Sequence, residues 1–479
     1  MGVAGKPMSF RLGAIVQMAS RYASVIITMG LTMILARILT PDDYGIMSVV
    51  TVFLGLFTVI SNAGINAAVI QYRDLTDSDL GGLLAYTLIL GIGMAGLFCL
   101  LSIPVSLVYH NSEYIPLMCF ASASVFLRSL DMVPDGVQIR DRKFALNGAR
   151  TIISSIIGGV VAVLLALAGW GTYALIVNNI LQALVIVTWN LVASGMRPVF
   201  SNMSAPVKRV QKFSNFQLIS QIAQYLVRNL DNLCVGYFLG SAALGQYDKA
   251  YKLSKYPIDY VPSTINPVLK SYFSSKQDDK DRLYESFLKV QVLLAIIGVA
   301  AGVIFFFSAQ ELILLFFGDQ WVEAIAPFRF LSLSIPFQLV NYTVFSALEG
   351  LKRTDLLVKN ISLNCALTIL LLALGIAIGS LESVALCVSI GFMFATPSYL
   401  WFVIHRGFGK PVLGYLKKLA PSFVCGLLSA AALTVFTVCS SLVGLPALAA
   451  KVLIGGGVYV TFLLFFHIAE QRGASRRFQ

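Results

Sequence analysis

Fourteen apolar windows, each long enough to cross about 30 Å of hydrocarbon, take up most of this 479-residue chain. They fall near 12–36, 45–70, 81–109, 114–134, 147–168, 172–194, 214–239, 247–271, 286–309, 324–349, 357–379, 382–404, 417–440 and 444–468. In hydrocarbon, backbone N–H and C=O groups must be satisfied inside the segment, so runs of this length become helices. The expected fold is an all-α polytopic membrane protein with about 14 transmembrane helices. The first window is too long for a signal h-region, and no small-residue cleavage site follows it. It is read as a retained span.

Charge sets the orientation. Of the 35 Lys and Arg residues, 26 fall in loops and termini on one face, and only Arg37 and Lys451 on the other. The basic loops 134–150, 195–213, 270–289 and 405–418 all lie on the majority face. An even span count puts both termini there too, and the positive-inside rule makes that face cytoplasmic. The net charge of +12 is then membrane anchoring, and no nucleic-acid partner is expected. All seven cysteines lie in apolar windows without metal-ligand spacing, so reduced thiols with neither disulfides nor a metal centre are expected.

The chain also repeats itself. At an offset of 200, Gln17, Ser20, Leu39 and Gly45 match Gln217, Ser220, Leu239 and Gly245. Ile65-Asn66 and Tyr72 match Ile265-Asn266 and Tyr272. The offset then becomes 210, where Phe120, Ser122 and Ser124 match Phe330, Ser332 and Ser334. Six windows separate the copies, so both start on the same face. This is a parallel repeat about an axis along the membrane normal, an arrangement used by alternating-access transporters. It divides the chain into an N-lobe at 1–200, a C-lobe at 201–410 and a last pair of helices with a basic tail at 411–479.

Several chemistries are missing. There is no GxxxxGK[ST] loop for ATP, no H-E-x-x-H, and only three histidines, His110, His405 and His467, all near window ends. The largest outer loop, 309–323, leaves little room for a catalytic domain. A membrane glycosyltransferase, polymerase or protease is disfavoured; no enzyme, cofactor or metal is expected, and secondary transport remains.

A cation at mid-membrane costs about 2.5–3.5 kcal/mol, yet Arg21, Arg128, Arg228, Lys249, Lys252, Lys255 and Arg329 sit in or just inside apolar windows. Arg128 precedes Asp131 by three residues and Arg228 precedes Asp231 by three, so each pair shares a helix face. Each Arg either neutralises its neighbour or serves a ligand. In the eighth window Asp248, Lys252, Lys255 and Asp259 form one helical stripe beside Lys249. Tyr247, Tyr251, Tyr256 and Tyr260 add hydroxyls, and Pro257, Pro262 and Pro267 are expected to interrupt the helix. Such a stripe faces a cavity or a neutralising partner helix, not lipid. The expected substrate-binding set is Arg21, Arg128, Arg228, Lys249, Lys252 and Lys255, cations suited to phosphate. Tyr251 and Gln217 are expected to join them as hydrogen-bonding groups of the substrate-binding set.

At these residues the chain resembles a known family. Leu35-Ala36-Arg37-Ile38-Leu39-Thr40-Pro41-Asp42-Asp43-Tyr44-Gly45 is similar to the LAR-x-L-x-P-x-DYG signature of Wzx/WzxC-like polysaccharide flippases in the MOP exporter superfamily. Asp231-Asn232, then Gly236-Tyr237-Phe238-Leu239-Gly240 and Leu244-Gly245-Gln246-Tyr247-Asp248-Lys249-Ala250-Tyr251, resembles that group's DN…G-x-FLG…LG-x-Y-x-[RK]-AY segment. The resemblance implies two six-helix lobes of the MOP fold plus two C-terminal helices, with a cavity lined by spans 1, 2, 7 and 8. It implies a polyprenyl-diphosphate oligosaccharide as substrate, moved from the inner to the outer leaflet of a bacterial cytoplasmic membrane. Membrane lipids and polysaccharide polymerase or assembly proteins are the implied partners. By analogy with related flippases, Na⁺ or H⁺ is the expected coupling ion, held by Asp231 with Asn360 or Asn364. A multidrug cation antiporter of the same superfamily is the alternative, but it needs an acidic cavity. A peptidoglycan-precursor flippase shares the substrate chemistry.

Overall fold

The computed structural model describes residues 10–475 except 63, 142, 143, 276–279 and 352. Within its helices the side chains of 10–18, 21, 144, 145, 202, 210–220, 223, 263–275, 345, 350, 354, 467 and 469–475 lie outside the description. Among the described residues every regular element is helical. Among the described residues ten helices are long and apolar enough to cross a membrane, and a bent pair, Asp319–Ser332 with Ile335–Glu349 at 50°, makes an eleventh if it counts as one span. The chain is a multi-pass membrane protein.

Contacts divide it into two compact units, Met1–Gly245 and Gln246–Gln479. The first holds α1 (Phe10–Ile38), α2 (Pro41–Asn62), α3 (Ile65–Gln71), α4 (Asp77–Val108), α5 (Tyr114–Arg140), α6 (Phe144–Leu167), α7 (Thr172–Ser194) and α8 (Ser204–Leu239). Here α5 is central: it packs on α4, α7, α2 and α3, while α1 packs on α6 and α8 packs on α2 and α4. Their core gathers Ile65, Val69, Leu80, Leu83, Met132 and Val133.

The second unit takes in nearly all of α9 (Ser241–Ser275) and then α10 (Lys280–Phe307), α11 (Ala309–Phe317), α12 (Ile325–Ser332), α13 (Ile335–Asn341) and α14 (Val344–Gly350). It continues with α15 (Thr354–Ile378), α16 (Leu381–Tyr399), a π-helical extension Leu400–Phe408, α17 (Val412–Cys439) and α18 (Gly444–Ser475). Helix α10 is its hub, touching α13, α17 and α12, while α15 pairs with α16 and α17 with α18. Phe287, Leu348, Val403, Ile404 and Tyr415 form its largest core.

Helix starts follow their caps. Thr40 and Asp43 cap α2 reciprocally: the Thr40 amide and hydroxyl donate to Asp43 Oδ2 at 3.0 and 2.7 Å, and the Asp43 amide donates back to Thr40 Oγ1 at 3.2 Å. Thr76 and Asp79 do the same for α4. Such boxes satisfy amides that a helix start leaves orphaned. The signature therefore has a structural reading. Asp43 caps α2 and accepts from Thr172 Oγ1 at 3.0 Å, while Asp42 accepts from Ser241 Oγ. A Cβ on Gly45 would fall on the Ser241 carbonyl, and one on Gly245 would fall on the Pro41 carbonyl. The matched glycines of the repeat thus let the α1–α2 and α8–α9 corners meet backbone to backbone.

Three expectations fail. Helix α9 runs unbroken through Pro257, Pro262 and Pro267, because freed carbonyls in a membrane helix can find other partners. Residues 309–323 are not an open loop; they form α11 and a short 3₁₀ turn, with Trp321 buried. Cys99 and Cys119 are disulfide-bonded rather than reduced, with Cα atoms 4.5 Å apart. The register of the α4–α5 hairpin sets them side by side, within the usual disulfide range, and a spacing of twenty residues does not announce that.

Candidate functional site

Polar side chains cluster inside each unit. In the first, one face of α5 carries Ser124, Arg128, Asp131, Asp135 and Gln138, at offsets of 4, 7, 11 and 14 from the first. Asn190 of α7 donates from Nδ2 to Asp131 Oδ1 at 2.7 Å, and its Oδ1 accepts from Arg150 of α6. Arg150 also pairs with Asp135 at 3.0 Å. The other Asp135 oxygen accepts from Asn66 of α3 at 3.0 Å. Asn190 is fully buried and Arg150 is 9% exposed. Four helices are thereby tied by one hydrogen-bonded chain holding opposite charges, which is how a buried ion remains tolerable.

Helix α9 carries the second cluster. Lys252 pairs with Asp248 at 2.7 Å, the carboxylate buried and the ammonium half exposed. Lys255 lies 4.3 Å from the Tyr251 ring centroid, and Tyr251 stacks on Tyr247 at 5.7 Å. Lys249 is 1% exposed, and its Nζ stands 5.2 Å from the ring centroids of both Phe317 and Trp321. Ring faces attract a desolvated cation, so α11 and the turn after it hold Lys249.

Two neutral networks complete the second unit. Asn364 donates to Asn360 at 2.8 Å and accepts from Ser398 at 3.1 Å. Gln291 of α10 donates to the Val340 carbonyl at 3.2 Å and to Tyr399 at 3.1 Å, donates to Thr343, and accepts from Tyr415 at 2.9 Å. This ties α17, one of the last two spans, to the unit's hub. Lys451 of α18 does the same from another side, donating to the Phe307 carbonyl at 2.9 Å and pairing with Glu311 at 2.5 Å.

The expected site residues distribute as follows. Lys249, Lys252, Lys255 and Tyr251 come together on α9. Arg128 joins the α5 stripe. On α8, Arg228 is exposed and Asp231 is buried, accepting from the Asn232 amide at 3.0 Å. Asn360 and Asn364 bond each other on α15. The side chains of Arg21 and Gln217 lie outside the described residues. Sequence reasoning passed over Asp135, Arg150 and Asn190. Arg150 falls in the basic stretch 134–150, although extending the Arg128–Asp131 face by two turns picks up Asp135 and Gln138.

Comparison with known proteins agrees with this architecture. Residues 34–326 match the family described as polysaccharide biosynthesis protein. The succinoglycan biosynthesis transport protein ExoT of Rhizobium meliloti is 25% identical over 398 residues, 83% of this chain and 80% of that protein. The lipopolysaccharide biosynthesis protein WzxC of Escherichia coli K12 is 25% identical over 404 residues, 81% of this chain and 79% of its own length. A solved structure of the lipid II flippase MurJ in an inward closed conformation superposes with a TM-score of 0.75 at 14% identity, covering 95% of this chain and 99% of that one. That likeness speaks for the fold, while the family match spans more than half of the sequence. The chain belongs to the polysaccharide biosynthesis protein family.

Proposed function

We propose that this transporter flips polyprenyl-diphosphate-linked oligosaccharide repeat units from the inner to the outer leaflet by alternating access. The observation that carries the reading is the set Arg128 on the apolar α5 and Arg228, Lys249, Lys252 and Lys255 on the long, polar-faced α8 and α9. A diphosphate cannot cross hydrocarbon unaided, whereas a polyprenyl tail can stay in it. Cations kept at depth offer the head group what water otherwise gives it. Membership in a polysaccharide biosynthesis family supports the substrate class. The basic excess of the candidate set, five cations against Asp131, Asp231 and Asp248, disfavours a cation antiporter.

Helices α1, α8 and α9, of 29, 36 and 35 residues, each exceed about 40 Å at about 1.5 Å per residue. We read them as spans whose polar faces are shielded from lipid, which with the ten apolar helices and the bent pair gives fourteen. The repeat halves 1–200 and 201–410 are the moving lobes, both termini are cytoplasmic, and the membrane is the bacterial inner membrane. Arg21 and Gln217 join the substrate set. Na⁺ or H⁺ drives the cycle, with Asp231, Asn360 and Asn364 as the residues that meet it. Polymerase or assembly proteins receive the product.

The test measures lipid-linked oligosaccharides in cells with and without the protein, using an outer-leaflet accessibility assay. A completed lipid-linked repeat that accumulates on the inner leaflet when the protein is absent supports the reading. No accumulation, with raised sensitivity to cationic drugs, overturns it in favour of the antiporter.

A further inference from the structure

The chain of side chains around Asp131 has a property that its counterpart in the second unit lacks. At the repeat offset of 210, Asn341 and Asn360 stand where the first unit has Asp131 and Arg150. In the second unit these positions hold neutral amides: Asn341 donates to Thr396 Oγ1 at 3.4 Å, and Asn360 accepts from Asn364 at 2.8 Å. The same place in the repeat is therefore ionisable in one unit and neutral in the other.

Within the first unit the two carboxylates are unequally served. Asp135 receives the Arg150 guanidinium on one oxygen and Asn66 on the other. Asp131, one turn away on the same face, is held by an amide, Asn190 Nδ2. The groups facing it are Arg150 of α6, Asn190 of α7, Asn66 of α3, and Arg128 and Asp135 of α5 itself. The neighbouring spans α2 and α4 carry acidic residues only in their first turns, Asp42 and Asp43, and Asp77 and Asp79. Two Arg and two Asp make the set neutral when all are ionised. One turn beyond Asp135, Gln138 is 1% exposed, and neither of its amide atoms has a partner among the described residues. This polar group continues the face toward Arg140 at the end of α5, the end read above as cytoplasmic.

We propose that Asp131 is a proton-binding site of the first unit, separate from Asp231 and the α15 asparagines, whose charge Arg128 and Arg150 read. The transfer is simple. A hydronium ion reaching the face gives its proton to an Asp131 carboxylate oxygen and leaves as water, and the set goes from neutral to one net positive charge. Asn190 then donates to a neutral acid instead of an anion, a weaker bond. Asp135 is then left as the one carboxylate charge beside two guanidinium groups. Arg128, three residues before Asp131, attracts another anion more strongly once that neighbouring charge is gone. By linkage, an anionic head group bound at Arg128 favours proton uptake at Asp131 as much as the proton favours that anion. The purpose of this exchange rests on the transporter reading; the proton itself is measurable without it.

The experiment is infrared difference spectroscopy on the full chain in lipid nanodiscs, following the carbonyl stretch of a protonated carboxylic acid as pH falls from about 8 to about 5. The expected result is a band that grows in, is absent from Asp131→Asn, and has its midpoint raised by about one pH unit or more in Arg150→Gln, where a nearby cation is gone. No such band in the unmodified protein overturns the proposal without any variant. So does a band that survives Asp131→Asn and disappears in Asp135→Asn, or an unmoved midpoint in Arg150→Gln. Normal export of the lipid-linked repeat together with no band sinks this site alone. A band present in a chain whose loss causes no lipid accumulation sinks the transporter reading and leaves the site standing.

Discussion

The ion pair between Lys451 and Glu311 gives the sharpest test of how the last two spans are attached. Lys451 Nζ lies 2.5 Å from Glu311 Oε1 and 2.9 Å from the Phe307 carbonyl, and the two side chains are 8% and 9% exposed. Removing one partner leaves the other charge buried, which costs about 3–5 kcal/mol in such pairs, whereas an exposed pair would be worth about 1 kcal/mol or less. Lys451→Met should therefore destabilise the folded protein by about 3–5 kcal/mol, and Glu311→Leu by a similar amount. The double variant puts apolar side chains where two ions were and should recover most of the loss. A double-mutant cycle in mixed-micelle denaturation, read by tryptophan fluorescence from the buried Trp321 nearby in sequence, measures the coupling. Additive single effects below about 1 kcal/mol each would refute the buried reading. They would mean that water reaches the pair and that α18 is held to the unit by apolar contacts and by the Ser429 hydrogen bond to the Gly455 carbonyl.

Three further outcomes follow from other parts of the chain. Gly45→Ala and Gly245→Ala should each reduce folded yield sharply, because each Cβ meets a carbonyl of the facing corner. Gly456→Ala, with open space around its Cα, should be silent, as fluorescence-detected size-exclusion would show. Thiol titration of the denatured chain should count five reactive cysteines without reductant and two more with it. At the surface, Arg209 bonds Asp74 at 2.6 Å and holds its carboxyl below the ordinary Asp value. Because the folded-state value is the lower one, the tie contributes fully above the ordinary Asp pKa and is lost as pH falls through the depressed one. Titration of the Asp74 carboxyl by NMR should show that depression vanish in Arg209→Ala.

Window length and loop charge were enough to read the all-helical membrane class, since both are set by the bilayer rather than by tertiary contacts. The α9 stripe was equally legible, because i, i+4 spacing is local: Asp248 and Lys252 do pair. What the sequence withheld is whatever depends on the register between helices. Lys249 reads as one more cation of the stripe until Phe317 and Trp321 are brought to it by α11 and the turn after it, an apolar segment too short to read as a span. Cys99 and Cys119 need the α4–α5 hairpin to be seen as neighbours.

Arg150 shows why charge near a span end is ambiguous. By the positive-inside rule an Arg six residues into α6 belongs to the interface and needs no further account. Whether it snorkels to water or turns inward depends on what the adjacent helices offer at the same depth. Here they offer Asp135 on α5 and Asn190 on α7. A helix end with a polar stripe beside it can therefore bury an Arg that a topology count assigns to the surface. The same comparison applies to the second unit, where Asn360 occupies the matching depth without a charge. The two halves share the corner glycines Gly45 and Gly245, while their polar centres have taken different chemistries. The consequence is directional: a change of pH across the membrane can act on the first unit through Asp131 and finds no titratable group at the matching positions of the second.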